Sequence, residues 1–132
     1  MAVALPDMMT AIEISTPGGP EVLLPCQRPV PVPREGEVLV KVAAAGVNRP
    51  DVVQRMGLYP APPGASDLPG LEISGTVVAI GSGVESEHLG QKVCALVAGG
   101  GYAEYSIARA DVCWPVPPSL PMEEAAAIPE TL

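Results

Sequence analysis

Short runs of valine, isoleucine and leucine recur along the chain and are separated by connections rich in proline and glycine. Apolar, β-branched runs bounded by such residues are typical of β-strands. The pattern predicts six strands, at 9–14, 21–27, 37–44, 73–80, 92–97 and 102–108. The expected fold is mainly β, a partly open barrel formed by a single domain at 1–132.

Two short helices are predicted beside these strands. The first covers 49–56: Asn48 precedes it as an N-cap residue, Pro50 lies in its first turn and Gly57 follows its end. The second begins after Ser119 and ends at Pro129. Between the helices, the stretch 57–70 has too much proline and glycine for regular structure, which indicates a functional loop.

Composition narrows the classes of partner. The 132 residues carry 15 acidic and 7 basic side chains, a formal charge of −8, which argues against nucleic acid or an anionic membrane as a partner. No apolar run approaches the roughly 20 residues of a membrane span, and the first residues do not resemble a signal peptide, so a cytoplasmic location is expected. The three cysteines, 26, 94 and 113, are widely spaced and are expected to be reduced thiols.

Five segments together resemble a known family. They are GGPEVL at 18–23, GEVLVKVAAAGVNRPD at 36–51, QRMGLYPAPPGASD at 54–67, PGLEISG at 69–75 and GGGYAEY at 99–105. The chain resembles the zinc-independent quinone oxidoreductases of the medium-chain dehydrogenase/reductase superfamily, in the branch of the tumour-suppressor-inducible quinone oxidoreductase, with zeta-crystallin a more distant relative. The resemblance runs from about Thr10 to the last residue.

The resemblance implies a GroES-like catalytic barrel, a following Rossmann domain that binds most of NADPH, and a C-terminal segment that returns to complete the barrel. The chain contains no dinucleotide fingerprint: the three glycines at 99–101 precede Tyr102 and a β-rich run, which predicts a hairpin or bulge. We therefore expect an N-terminal catalytic domain that is inactive alone, with the Rossmann domain encoded beyond Leu132.

The same resemblance implies the absence of zinc. Related alcohol dehydrogenases carry a catalytic Cys in the segment matching 46–51 and Gly-His-Glu in the segment matching 70–72. Here these segments read GVNRPD and GLE, so Leu71 stands where the metal-binding His would be. His88 has no cysteine at ligand spacing and is interpreted as a surface residue.

Asn48 and Tyr59 are the candidate catalytic residues. The resemblance implies that Asn48 lies beside the nicotinamide and the substrate, so it is also the candidate cofactor contact, and that the Tyr59 phenol faces the cleft. Two structural alternatives remain open: Asn48 caps a helix, and Tyr59 packs on the surrounding prolines. Family members of the zeta-crystallin type carry a second Tyr where this chain has Val53, which implies a different polar wall.

Neighbouring residues receive structural interpretations. Glu72 is expected to form structural hydrogen bonds, whereas Gln54 and Arg55 are expected on a solvated helix face or in salt bridges. A threonine that contacts the nicotinamide in the family falls beyond Leu132, so its role is not transferred to Thr131.

The resulting function is hydride transfer from NADPH to a quinone or enone without zinc. The full-length protein is expected to be a homodimer or a higher homo-oligomer. Two alternatives remain: a stand-alone GroES-like binding or assembly module, and an enoyl reductase domain acting on acyl thioesters. The motif at 54–67 counts against the first, because it resembles the reductase substrate loop.

Overall fold

The computed structural model describes residues 4–131, with Thr131 described in its backbone alone. Within that range the strands are β1 (Met8–Ile14), β2 (Leu23–Pro29), β3 (Glu37–Ala45), β4 (Glu72–Ile80), β5 (Lys92–Leu96), β6 (Tyr105–Arg109) and β7 (Cys113–Pro115). The α-helices are α1 (Arg49–Arg55) and α2 (Met122–Ala125), and single 3-10 turns lie at Pro20–Val22, Ser86–His88, Ala110–Val112 and Pro129–Thr131. The predicted mainly β fold with two short helices is confirmed.

The strands form two antiparallel sheets. One is the β1–β2 hairpin, and the other has the order β6-β3-β4-β5-β7. An isolated bridge between Ala11 and Ala103 and a hydrogen bond from the Ile12 N–H to the Tyr102 carbonyl (2.8 Å) connect them. Because β6 and β7 end the larger sheet without pairing to each other, the barrel stays open.

The main core lies on the inner face of the five-stranded sheet. Its buried members are Val38, Val40, Ile73, Val77, Val93, Ala95, Val97 and Ala108. A smaller cluster of Met9, Ala11 and Leu68 lies beneath the hairpin. Each buried valine or isoleucine contributes about 1.5–3 kcal/mol, so the core holds β3, β4 and β5 as a rigid base for the loops above them.

β2 begins at Leu23 rather than at 21 and α2 covers only Met122–Ala125, and three further details differ from the sequence prediction. β7 was not predicted, because three residues followed by prolines carry too weak a strand pattern. β6 begins at Tyr105 rather than at 102. The predicted hairpin or bulge at 99–101 is wrong, because β5 and β6 are not neighbours in the sheet and these glycines belong to a crossing loop, in which Gly99 and Gly100 have φ of 148° and 86°.

The described residues contain no helix that is long and apolar enough to cross a membrane.

Candidate functional site

Asn48 begins α1 as its N-cap residue. Its backbone is extended, with φ −129° and ψ 162°, and its N–H donates to Oδ2 of Asp51 at 3.0 Å in a capping box. Pro50 occupies the first turn, where a missing N–H costs nothing. The capping alternative raised for Asn48 therefore agrees with its place in the helix.

The side chain of Asn48 is held by Glu72. Nδ2 donates to Oε1 of Glu72 at 2.8 Å. A carboxylate accepts hydrogen bonds, so this contact decides which end of the amide faces β4. Within residues 4–131 the second N–H of Nδ2 has no hydrogen-bond partner, and Asn48 itself is half-buried.

Glu72 forms the structural hydrogen bonds that were expected of it. Its side chain is 2% exposed, and its second oxygen, Oε2, accepts the backbone N–H of Glu130 at 2.9 Å. A Cβ at Gly46 would overlap Oε1 of Glu72, so glycine there leaves room for the carboxylate.

Asp51 is buried at the start of α1, and its carboxylate accepts three hydrogen bonds. It is 4% exposed, and its Oδ2 accepts the phenol O–H of Tyr102 at 2.8 Å as well as the Asn48 N–H. Oδ1 accepts the N–H of Gly70 at 3.3 Å. Burial and the neighbouring Asp51 carboxylate raise the pKa of Tyr102 well above its ordinary value. The phenol therefore stays a donor throughout the neutral range.

The loops that contain Gly70 and Gly101 come into close contact beside Asp51. Gly70 has φ of 107°, and a Cβ there would lie 2.7 Å from both Cα of Gly101 and N of Tyr102. The two loops are also joined by backbone hydrogen bonds, from Gly101 N–H to the Gly70 carbonyl (3.1 Å) and from Tyr102 N–H to the Pro69 carbonyl (3.0 Å). Glycine at position 70 permits both the backbone conformation and the approach.

Tyr59 lies just beyond the other end of α1. Gly57, with φ of 81°, ends the helix, and its N–H donates to the Gln54 carbonyl at 2.9 Å. The tyrosine is 43% exposed, and its hydroxyl has no hydrogen-bond partner within residues 4–131. Its phenol is therefore accessible to a ligand.

The two ends of the loop that carries Tyr59 are both fastened. At the near end, Arg55 and Gly18 exchange two hydrogen bonds: Arg55 Nε donates to the Gly18 carbonyl and Gly18 N–H donates to the Arg55 carbonyl, both at 3.0 Å. At the far end, Arg28 binds both oxygens of Asp67, at 2.8 and 3.0 Å, and Gln54 Nε2 donates to the Asp67 carbonyl at 3.1 Å.

Of the two interpretations of Gln54 and Arg55, the salt bridge is wrong within residues 4–131, because both half-buried side chains bind backbone carbonyls and Arg55 forms no ion pair there. The guanidinium of Arg28 holds the pKa of Asp67 below its ordinary value. The near end of the loop is thus fixed where α1 contacts Gly18, and the far end is fixed by Gln54 of α1 and Arg28 of β2.

Asn48 and Tyr59 flank α1 but do not touch. One precedes and the other follows a helix of seven residues, roughly 10 Å long. An exposed apolar residue adjoins each of them in sequence: Val47 is 77% exposed and Leu58 is 71% exposed. A polar group with an exposed apolar neighbour therefore lies at each end of α1.

A groove is lined by β6 together with parts of β1, β2 and the loops at 64–68 and 97–100. It has a volume of about 1050 Å³, and Met9, Leu68, Val97 and Ile107 contribute apolar walls. Ser106 lines it with a buried Oγ that has no hydrogen-bond partner in the described part of the chain. An unpartnered buried hydroxyl costs free energy, so the groove is suited to an occupant that supplies a polar partner.

The zinc ligands of the related dehydrogenases have no counterpart in these positions. Leu71 has no donor atom in its side chain, and between residues 4 and 131 no three His, Cys, Asp or Glu side chains converge on one point. The donor set does not fit zinc.

Sequence reasoning missed Asp51 and Tyr102. The Asn-x-x-Asp spacing of a capping box could have indicated Asp51. Tyr102 lies 51 residues further along the chain, and no local signal connects the two.

Comparisons with known proteins identify the family. Residues 34–118 match the alcohol dehydrogenase GroES-like domain. The quinone oxidoreductase of Lama guanicoe is 40% identical over 123 residues, which are 92% of this chain and 37% of that protein. The human synaptic vesicle membrane protein VAT-1 homolog-like protein superposes with a TM-score of 0.84 at 32% identity, over 92% of this chain and 40% of that chain.

A mycobacterial structure in complex with NADPH gives a TM-score of 0.76 at 37% identity, over 89% of this chain and 37% of that chain. The chain therefore spans less than half the length of the relatives it matches. It belongs to the alcohol dehydrogenase GroES-like domain family, and it corresponds to the N-terminal part of enzymes of the oxidoreductase class.

Proposed function

We propose that this chain is the N-terminal catalytic domain of an NADPH-dependent quinone oxidoreductase, which transfers a hydride to a quinone or enone without zinc. The observation behind this proposal is the amide of Asn48 at the start of α1, which Glu72 orients and whose second N–H has no partner within residues 4–131. The similarity to quinone oxidoreductases over 92% of the chain and to an NADPH-complexed structure supports the assignment.

The chain's own residues orient the acceptor and stabilise charge. The Tyr59 hydroxyl, exposed and without an intramolecular partner in residues 4–131, donates to the substrate oxygen as it becomes anionic. The second N–H of Asn48 donates to the bound cofactor or substrate at the opposite end of α1. Val47 and Leu58 supply apolar surface for a flat ring.

NADPH supplies the hydride when it is bound. The Asn48 amide fits its nicotinamide end, because it offers a free donor next to apolar side chains. The resemblance implies that the adenosine and pyrophosphate are bound by a domain that follows Leu132. Zinc independence is proposed on the donor set, in which Leu71 replaces a ligand.

The groove beside β6 fits the proposed domain organisation. The unpartnered Ser106 hydroxyl and the edge position of β6 suit a later segment of the full polypeptide that returns to complete the barrel. The full-length protein is proposed to be cytoplasmic and to assemble as a homodimer or larger homo-oligomer.

The test uses the full-length protein with NADPH and three acceptor classes: quinones, simple enones and enoyl thioesters. Oxidation of NADPH with quinones or enones, undiminished after treatment with a zinc chelator, is expected. Turnover confined to enoyl thioesters would replace the proposal with an enoyl reductase, and no turnover with any acceptor would favour a binding module. Loss of activity with chelator, restored by zinc, would contradict the zinc-independent mechanism.

A further inference from the structure

Glu72 lies between the candidate site and residues 122–130, which we call the exit segment. One carboxylate oxygen accepts Asn48 Nδ2 at 2.8 Å, and the other accepts the Glu130 N–H at 2.9 Å. The side chain is 2% exposed, and within residues 4–131 no Lys, Arg or His forms an ion pair with it. Its two hydrogen bonds therefore join three separate parts of the chain.

Both groups that face the carboxylate are N–H donors. A carboxylate satisfies two donors at once, whereas a carboxamide has one accepting oxygen and one NH2 group. The Glu130 N–H belongs to the backbone and cannot exchange donor for acceptor. The Asn48 amide can exchange donor for acceptor by rotating half a turn about its Cβ–Cγ bond, which would place its oxygen where its nitrogen lies.

The exit segment is also docked on β4 by a second contact. The Ser74 hydroxyl, fully buried, donates to the Met122 carbonyl, and Ala125 and Ala126 are buried behind it. Ser74 lies two residues after Glu72 on the same strand, so their side chains share one face of the sheet. The segment 122–130 is thus held at both of its ends by β4.

We propose that Glu72 is a positioning residue: it sets the orientation of the Asn48 amide and ties that amide to the exit segment at Glu130. The role rests on the proposed function in that Asn48 is taken to contact the ligand. In the full-length protein, the same carboxylate would fix the position of the Asn48 amide relative to the polypeptide that follows Glu130.

The first test is a pair of substitutions in the full-length protein. Asn48→Asp places a carboxylate against Glu72 and is expected to lower the Tm by several degrees, because two acceptors then face each other. Adding Glu72→Gln supplies an NH2 donor to the new carboxylate while its oxygen still accepts the Glu130 N–H. The double variant is therefore expected to recover most of the lost Tm.

The second test separates orientation from stability. Glu72→Gln alone is expected to keep the Tm near wild type, because Asn48 turns over to present its oxygen, yet to lower kcat/KM for a quinone about tenfold, as for one misplaced donor. Glu124→Gln removes the same charge from an exposed position of the exit segment and is the matched control, with both quantities unchanged. Glu72→Ala is expected to increase hydrogen exchange across 126–131.

Failure of Glu72→Gln to rescue Asn48→Asp, or unchanged exchange in Glu72→Ala, would overturn the structural link. Wild-type kcat/KM in Glu72→Gln would overturn the orienting role. If the wild-type protein reduces no quinone, the proposed function fails, whereas the Tm cycle and the exchange measurement still decide whether Glu72 holds both partners.

Discussion

The phenol of Tyr102 donates a 2.8 Å hydrogen bond to Oδ2 of Asp51, across 51 residues of sequence. Asp51 is 4% exposed, and the other donors to its carboxylate are the backbone N–H groups of Asn48 and Gly70. The bond fastens the loop before β6 to the start of α1, so the candidate site depends on a contact outside it.

Tyr102→Phe is expected to destabilise the protein by about 1–3 kcal/mol, the usual effect of removing a donor from a buried charged acceptor. The ring remains, so the apolar contacts are kept. Urea unfolding of wild type and variant measures the difference, with Tyr105→Phe as a control because the described residues give its hydroxyl no partner. Equal stability of Tyr102→Phe and wild type would show that the bond contributes nothing.

The same tyrosine predicts a loss of stability in alkali. Burial and the Asp51 carboxylate raise the pKa of Tyr102 above its ordinary value of 10.0. A raised pKa means that the folded state keeps its proton after the unfolded chain has lost it. Stability is thus fully present below about pH 10 and falls as the pH rises further. Unfolding measured from pH 8 to 11 should show this fall in wild type and a smaller one in Tyr102→Phe.

Six of the seven strands could be located from the sequence because each of the six carries a local apolar pattern, as in 37–44 and 73–80. The capping role of Asn48 was also visible as an alternative, since Asn48 directly precedes a segment with Pro50 in its first turn and Gly57 at its end. The partners of that cap could not be predicted. Glu72 and Tyr102 reach α1 through the crossing of separate loops, and sequence periodicity carries no information about such long-range contacts.

The pairing of Arg28 with Asp67 predicts a local effect. Asp67→Asn is expected to lower global stability by less than about 1 kcal/mol, because the Asp67 side chain is 71% exposed and solvent screens the pair. It should nevertheless accelerate proteolysis within the loop 57–70, whose far end the pair holds. Limited digestion with peptide mapping measures this, and Asp111→Asn, which breaks an exposed pair with Arg109 in which no loop residue takes part, is the control.

Acid should weaken the same pair. Arg28 lowers the pKa of Asp67 below its ordinary value of 3.8, so the stabilisation is present above about pH 4 and is lost as the pH falls through the lowered value. Loop proteolysis by an acid-active protease should rise in wild type below pH 4, and Asp67→Asn should show the raised rate already at pH 5. A rate in the variant that matches wild type at pH 5 would contradict the clamp.

The thiol of Cys113 is expected to resist alkylation. Burial raises its pKa to about 11, with further contributions from Cys94 and Asp111, and burial also raises the pKa of Cys94. At pH 8 about one Cys113 thiol in a thousand is a thiolate, the form that reacts. Iodoacetamide labelling followed by mass spectrometry should leave 113 largely unmodified when folded and modify it after unfolding in guanidinium. Rapid labelling of the folded protein would contradict the raised pKa of this half-buried thiol.

Tyr59→Phe in the full-length protein is the direct test of the candidate catalytic phenol. We expect kcat/KM for a quinone to fall roughly tenfold to a hundredfold, which corresponds to about 1.4–2.7 kcal/mol for one positioned donor. Tyr59 has no hydroxyl partner among residues 4–131, so the variant should melt at the wild-type temperature. This separates it from Asn48→Ala, which also removes the donor to the buried Glu72 carboxylate at a cost of about 1–3 kcal/mol.

The position of the Tyr59 phenol depends on how firmly its loop is held. Gly57 turns the chain out of α1, Arg55 and Gly18 fasten the near end, and Arg28 with Asp67 fastens the far end, so the phenol is presented from a restrained position. Asp67→Asn should therefore raise KM for the quinone with a smaller effect on kcat, because it disturbs the position of the donor and leaves its chemistry intact. If Tyr59→Phe keeps wild-type kcat/KM with several quinones, the ring is a packing residue and the donor to the substrate oxygen lies elsewhere in the full-length protein.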